Sequence, residues 1–373
     1  MSNMDPSELR FFVYGKLAAD ASRPPAVLAD QAIRNRDNMF DEASEGAIYT
    51  ELVNNLATIQ KRLQALNVND RISALEPAVS EMLARMIYGS NRVAKVGGGW
   101  EATLDLCRPI FRSKKSALDV YREELEYEAL ADPRRQPIST IVTPPEIRKD
   151  HEIIQHAKAA KYMLTELHLH GHGLSEEILL NTHRILTHNI DSADGVPPTK
   201  YGGIYCKSSS ASPDASQQHE PTSISRSVQD MIQSLNRDLA TVEKGQLLSP
   251  IAFAAKYCQI FCEIRPFYEG NGRMGRLLLN AMLLKTVGAV ACVGSDAQSQ
   301  SFPRSIIKST CDSPNPGQVD PRNGNAISLV HGLEALSSTI LKSLVDTTGR
   351  LAKSLRTQTS SGYKPFSNCL AGK

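Results

Sequence analysis

No stretch of this chain is apolar for long enough to suggest a membrane span. The longest run, residues 277–294, is interrupted by Asn280 and Lys285. Neither charge sign is in surplus: 42 Lys and Arg stand against 40 Asp and Glu, leaving +2. So small a balance builds no basic field, and no nucleic-acid partner is expected. No two cysteines have C-x-x-C spacing. The 7 cysteines are scattered at 107, 206, 258, 262, 292, 311 and 369, which gives no disulfide framework and no ready dithiol centre. The opening residues lack the basic and apolar regions of a signal peptide. Together with the odd cysteine count, this leads us to expect a soluble protein of the reducing cytoplasm. No internal repeat is visible.

What is present is ordinary globular composition, 41% hydrophobic and 22% charged over 373 residues, with length for roughly two domains. Apolar residues recur at three- and four-residue steps, which predicts helices. The first spans 45–66, with Ile48, Leu52, Leu56, Ile59 and Leu63 on one face. Asn69-Asp70 is expected to cap a second, which carries Pro77 and ends in 88–97, with a plain C-cap around Gly89 and Asn91 as the simple reading of that end. Further helices are predicted over 100–111, 116–131, 146–169, 175–189, 223–242, 250–263, 273–284 and 327–355. Residues 132–145 hold four prolines (133, 137, 144 and 145) and read as a linker. Residues 194–212, with Gly195, Pro197, Pro198, Gly202 and Gly203 before Ile204-Tyr205-Cys206, read as a small β-hairpin or flap. Residues 208–218 and 295–325 are low in complexity. Cys258 and Cys262, one helical turn apart, read as small core residues.

His168-Leu169-His170-Gly171-His172 has the look of a zinc site. A fourth ligand is not evident, and alternate spacing suits a strand better than a helix end. Histidines at a helix C-terminus before a glycine stop are the reading we take.

Residues 262–280 concentrate the chemistry. Glu269-Gly270-Asn271-Gly272 is a tight glycine-flanked turn, and the helix after it opens with Arg273 and Arg276. Such a turn aims several backbone N–H groups at one place, where the helix dipole adds positive potential. Cations in a first turn oppose that dipole, so two arginines there point to a bound polyanion. Glu269 beside a phosphate is suited to Mg²⁺, which takes a carboxylate, phosphate oxygens and waters.

Pro266-Phe267-x-Glu269-Gly270-Asn271-Gly272-Arg273-x-x-Arg276 resembles the signature of the Fic (fido) family, H-P-F-x-[D/E]-G-N-G-R-x-x-R. Every defined position after the first matches. The resemblance implies an all-α, Fic-type helical bundle with a small β-hairpin flap. It implies ATP and Mg²⁺ as cofactors, with Gly270, Asn271, Gly272, Arg273 and Arg276 binding nucleotide and Glu269 holding the metal. The nearest enzyme class is the protein adenylyltransferases, which transfer AMP to a hydroxyl of a target protein. The partner implied is therefore a protein offering a Ser, Thr or Tyr hydroxyl, with no nucleic acid and no membrane, and a homodimer stays open. The family's first position, the histidine base, is Arg265 here. A guanidinium stays protonated and cannot take up a proton, so a weak or silent enzyme is expected. His219 offers no convincing substitute.

Two further segments follow from the same resemblance. Many Fic proteins carry an inhibitory segment, [S/T]-x-x-x-E-[G/N], whose glutamate pairs with the second signature arginine. Residues 90–95 resemble a degenerate form of it, with Ser90 matching and Ala94 in place of the glutamate. Gly203, Ile204 and Tyr205 match the target-docking flap, although Cys206 departs from its arginine. The expected division is a polar N-terminal arm over 1–43, an N-terminal helical region over 44–131, the Fic core over 146–293, a Ser/Pro-rich loop over 294–326, and a C-terminal helix and tail over 327–373.

Overall fold

A computed structural model describes residues 44–113, 115, 145–206, 221–243, 249–295 and 325–360. The expected arm at 1–43, the helix at 116–131, most of the linker, the low-complexity stretch at 208–218, most of the 295–325 loop and the last residues of the tail lie outside them. The described chain is helical: α1 Ser44–Gln64, α2 Val68–Ala94, α3 Trp100–Arg112, α4 Pro145–Leu164, α5 Glu176–Leu186, α6 Pro221–Glu243, α7 Pro250–Ile264, α8 Asn271–Thr286 and α9 Asn325–Ser360. None of the described helices is long and apolar enough to cross a membrane.

The periodic faces become the buried faces. On α1, Leu52, Leu56, Ile59 and Leu63 are buried, and this helix packs against α9. On α8 every residue from Arg273 to Leu284 is buried, as expected of a helix enclosed on all sides. It packs on α7, α2 and α4. Truncating one of its leucines to alanine would cost about 2–5 kcal/mol, so the helix that carries both signature arginines is firmly seated in the core.

Several boundaries differ from the sequence reading. The cap of α2 is Asn67, whose Oδ1 accepts from the backbone N–H of Asp70 at 2.9 Å, because the helix already begins at Val68. That helix runs on through Pro77 and past Gly89 to Ala94, and Lys95 closes it in the left-handed conformation (φ 58°). Gly89 is not a stop. A Cβ there would lie 2.4 Å from the carbonyl oxygen of Val293, and one on Gly294 would lie 2.5 Å from that of Gly89. The two glycines let the turn after α8 press directly on α2. The predicted helix 146–169 divides into α4 and one π-helical turn, Thr165–Leu169. Helix α5 starts after Ser175, whose Oγ accepts from the Ile178 N–H at 3.2 Å, and ends at Leu186, short of the expected Asn189.

Among the described residues the expected hairpin flap is reduced to one isolated antiparallel bridge, between Tyr205 and Phe267. A short 3₁₀ turn, Pro198–Lys200, precedes it. The second half of the expected hairpin lies outside the described residues.

Candidate functional site

The site lies where α7 hands over to α8. Helix α7 ends at Arg265, which adopts φ 48° and whose N–H donates to the Phe261 carbonyl at 3.1 Å. Few non-glycine residues take this left-handed geometry, and it directs the chain out of α7 into Pro266 and Phe267. Gly270 then turns the chain at φ 79° as the N-cap of α8. The Asn271 side chain braces the turn. Its Oδ1 accepts from the Phe267 N–H at 3.0 Å, and its Nδ2 donates to the Phe267 carbonyl at 2.6 Å. Both ends of that amide are therefore engaged with the turn itself. What α8 offers an anion are its first backbone N–H groups, which have no intrahelical acceptor.

His183, on α5, fixes the same turn from the other side. It is fully buried and its ring stacks on Phe267 at 3.7 Å and 3°. The Gly203 N–H donates to Nδ1 at 2.9 Å, so the proton sits on Nε2 and is donated to the Glu269 carbonyl at 2.9 Å. One neutral imidazole thus ties the flap segment to the signature turn. Burial drives its pKa down from 6.5 to about 3, the bond to Glu269 offsetting part of the effect. Cys206 adds a further tie, its N–H donating to the Pro266 carbonyl at 2.9 Å. Ile204 is exposed beside it.

The two arginines of α8 differ. Arg276 is buried, and donates from Nε to Ser90 Oγ and from Nη2 to the Ser90 carbonyl, both at 2.8 Å. Burial lowers its pKa to about 10, still far above neutrality. Arg273 is equally buried, yet its Nη1 has no hydrogen-bond partner. Its charge feels Glu152 and Glu269. His156, on α4, is fully buried, its Nδ1 lies 2.7 Å from Asn91 Oδ1, and its Nε2 is likewise unpartnered. Burial, and then the charges of Arg273 and Arg276, hold it well below the usual histidine range. Glu269 is half-buried, and its Oε1 accepts from the Ala193 N–H at 3.3 Å. Gly272 passes close to Arg276, where a Cβ would meet Nη1 at 3.2 Å.

Residues 173–283, which contain this turn and the elements bracing it, match the Fic/DOC family. Over that stretch the chain carries a Fic/DOC domain. A Fido domain-containing protein of Dictyostelium discoideum is 38% identical over 63 residues, 17% of this chain and 41% of the relative. The chain thus spans well under half the length of that curated relative. A Fic domain-containing signaling protein from Bacteroides thetaiotaomicron superposes with a TM-score of 0.53, covering 82% of this chain and 97% of that one at 13% identity. At that identity the likeness is one of fold.

Within the Fic domain and its N-terminal neighbour, the structure brings Glu269, Gly270, Asn271, Gly272, Arg273 and Arg276 to one turn, with Gly203, Ile204 and Tyr205 along its edge. Ser90 touches Arg276 directly, so the α2 segment does lie against the second signature arginine. Ala94 is exposed, one turn further along α2. Sequence reasoning missed His183 and His156. A histidine inside a helical pattern looks like any other half-polar position, and both partners of His183 are distant in sequence. Cys258 is buried as expected, and the Cys262 Sγ lies 2.8 Å from where a Gly275 Cβ would be. The two thiols pack on α8 between the arginines' turns.

Proposed function

We propose that this Fic protein binds ATP with Mg²⁺ at the turn before α8 and transfers AMP to a protein hydroxyl poorly or not at all. The observation that carries the reading is the buried, unpartnered Nη1 of Arg273 beside the free amides of a helix N-terminus. A buried cationic donor without an acceptor is costly, and an anionic ligand removes the cost. The residues present suit the group: amides of α8 and Arg273 for phosphate oxygens, Arg276 once released from Ser90, and Glu269 for the metal. Bound there, Mg²⁺ would neutralise phosphate charge.

AMP transfer joins the target oxygen to the α-phosphorus, releases pyrophosphate, and requires a base for the hydroxyl proton. Arg265 stands where the family keeps that base and cannot accept a proton. Loss of a general base costs about 10²- to 10⁴-fold. The same residue favours a second reading, a nucleotide-dependent interaction module that performs no transfer. Calorimetry with ATP and Mg²⁺ tests the common core: binding is expected, and its absence overturns both readings. Labelled ATP incubated with the protein and a cell lysate separates them, since label on any protein supports residual transfer and binding without label supports the silent module.

A further inference from the structure

We propose that Glu166, His170 and His172 form a binding site for a borderline divalent metal ion, of which Zn²⁺ is the representative. The site lies at the end of α4, apart from the signature turn. Its donor atoms already stand together. The Nδ1 of His170 is 3.3 Å from Glu166 Oε1, and the Nδ1 of His172 is 2.9 Å from Glu166 Oε2. All three donors lie within 4.8 Å of one another. Four ligands at Zn–N and Zn–O bonds of about 2.0–2.1 Å in a tetrahedron are separated by about 3.3 Å, so one ion at the centre needs only small side-chain rotations.

The backbone explains how these residues meet. An ordinary α-helix would set Glu166 and His170 on one face and send His172 away. The π turn widens the end of α4, with the His170 N–H donating to the Thr165 carbonyl and the His172 N–H to the Glu166 carbonyl, each at 3.1 Å. Gly171 reverses the chain at φ 69°, a conformation glycine adopts without penalty, and this returns His172 over Glu166. The next residues are anchored: Asn236 of α6 accepts from the Leu174 N–H at 3.0 Å and donates to its carbonyl at 2.8 Å. π turns within helices occur frequently at functional sites. The histidines do stand at a helix end before a glycine stop, and the fold adds a further donor to them. The donor missing from the sequence pattern is Glu166, upstream of the triplet, while His168 turns into the core.

The donor chemistry selects the ion. Two imidazoles and one carboxylate suit Zn²⁺ and its neighbours, whereas Mg²⁺ and Ca²⁺ prefer oxygen alone. Three protein ligands leave the fourth position to water. His170 and His172 are 51% and 60% exposed at their side chains against 16% for Glu166, so the ion has an open path of entry.

The test uses the full chain after treatment with chelator. Equilibrium dialysis against Zn²⁺ should load the protein with one ion more than it loads the triple variant Glu166→Gln, His170→Ala, His172→Ala, which keeps every cysteine. The two histidines are exposed, so their replacement leaves the core intact, and circular dichroism confirms the fold. His172→Ala alone should weaken binding at least tenfold, since even outer partners of metal ligands are worth 10- to 100-fold. Co²⁺ in place of Zn²⁺ should give visible bands without the strong near-ultraviolet absorption of a thiolate ligand. Equal Zn²⁺ uptake by the triple variant, no saturable uptake by the parent chain, or a thiolate band in the Co²⁺ spectrum would each overturn the proposal.

Discussion

The two walls of the candidate nucleotide site are built in opposite ways. On one side, the turn from Arg265 to Gly272 is braced several times over: twice by Asn271, by both nitrogens of His183, by the stacked rings of His183 and Phe267, and by the Cys206–Pro266 bond. On the other side, the end of α2 reaches Arg276 through one residue, Ser90. A redundant wall keeps its shape when one bond fails. A wall that reaches the arginine through one residue has no second hold once its two charged hydrogen bonds, about 1.5–3 kcal/mol each, pass to another acceptor. The difference suggests a fixed cradle facing a releasable latch, with Arg276 as the part that changes hands.

The largest expected effect lies in the fixed wall. Arg265→His places an imidazole, which titrates near neutrality, where the family keeps its base, on a turn already held in shape. AMP transfer from labelled ATP should rise about 10²- to 10⁴-fold if proton removal limits the rate. Unchanged label would mean that the cradle is stiff in the wrong geometry, or that the flap no longer docks a target. Next is Arg273→Ala, which should weaken ATP binding at least tenfold, a charged hydrogen bond being worth about 1.5–3 kcal/mol. Calorimetry that finds equal affinity would remove Arg273 from the anion site.

His183→Phe keeps the stacked ring and deletes both hydrogen bonds. It should destabilise the fold by about 1–3 kcal/mol for each group left unsatisfied, read from denaturant midpoints. It should also change the acid limb of stability. The native imidazole stays neutral down to about pH 3 while the unfolded one protonates below 6.5. Its contribution is therefore complete above pH 6.5 and is lost as pH falls toward 3. The variant's stability should fall less steeply across that window, with His156 leaving a residual slope. A slope equal to the parent's would show that His183 is not held neutral.

The smallest effects belong to the latch. Ser90→Ala removes one of the two bonds on Arg276 and should strengthen ATP binding a few-fold. Weaker binding would show that Ser90 holds Arg276 in its productive place. Ala94→Glu, one turn along the same face of α2, should reduce ATP binding more than AMP binding, because AMP has no γ-phosphate to lose. Equal effects on the two nucleotides would separate this segment from the inhibitory role its sequence resembles.

Much of the architecture was legible because it rests on local pattern. The 3.6-residue periodicity placed α1, α6, α7 and α8 to within a few residues, and the glycine turn with its arginines marked the site. What stayed hidden depended on contacts between distant segments. Gly89 reads as a stop until the turn at residues 292–295 is seen lying against it. Asn271 reads as a phosphate ligand until Phe267 is found between its two amide ends. His183 had no signal, since its partners Gly203 and Glu269 come from other parts of the chain. Glu166 was invisible beside the histidines because α-helical spacing would not return His172 to it.

The glycine pair at 89 and 294 acts as a spacer of zero thickness. Ser90 is the very next residue, so the gap at Gly89 sets the height of the serine above α8. A single methyl at either glycine would work as a shim, since both Cβ positions meet backbone atoms that cannot swing aside. The shim would lift α2 and withdraw Ser90 from the guanidinium below. The clearance between α2 and the turn after α8, rather than any charged group, is therefore what gauges how firmly Arg276 is held.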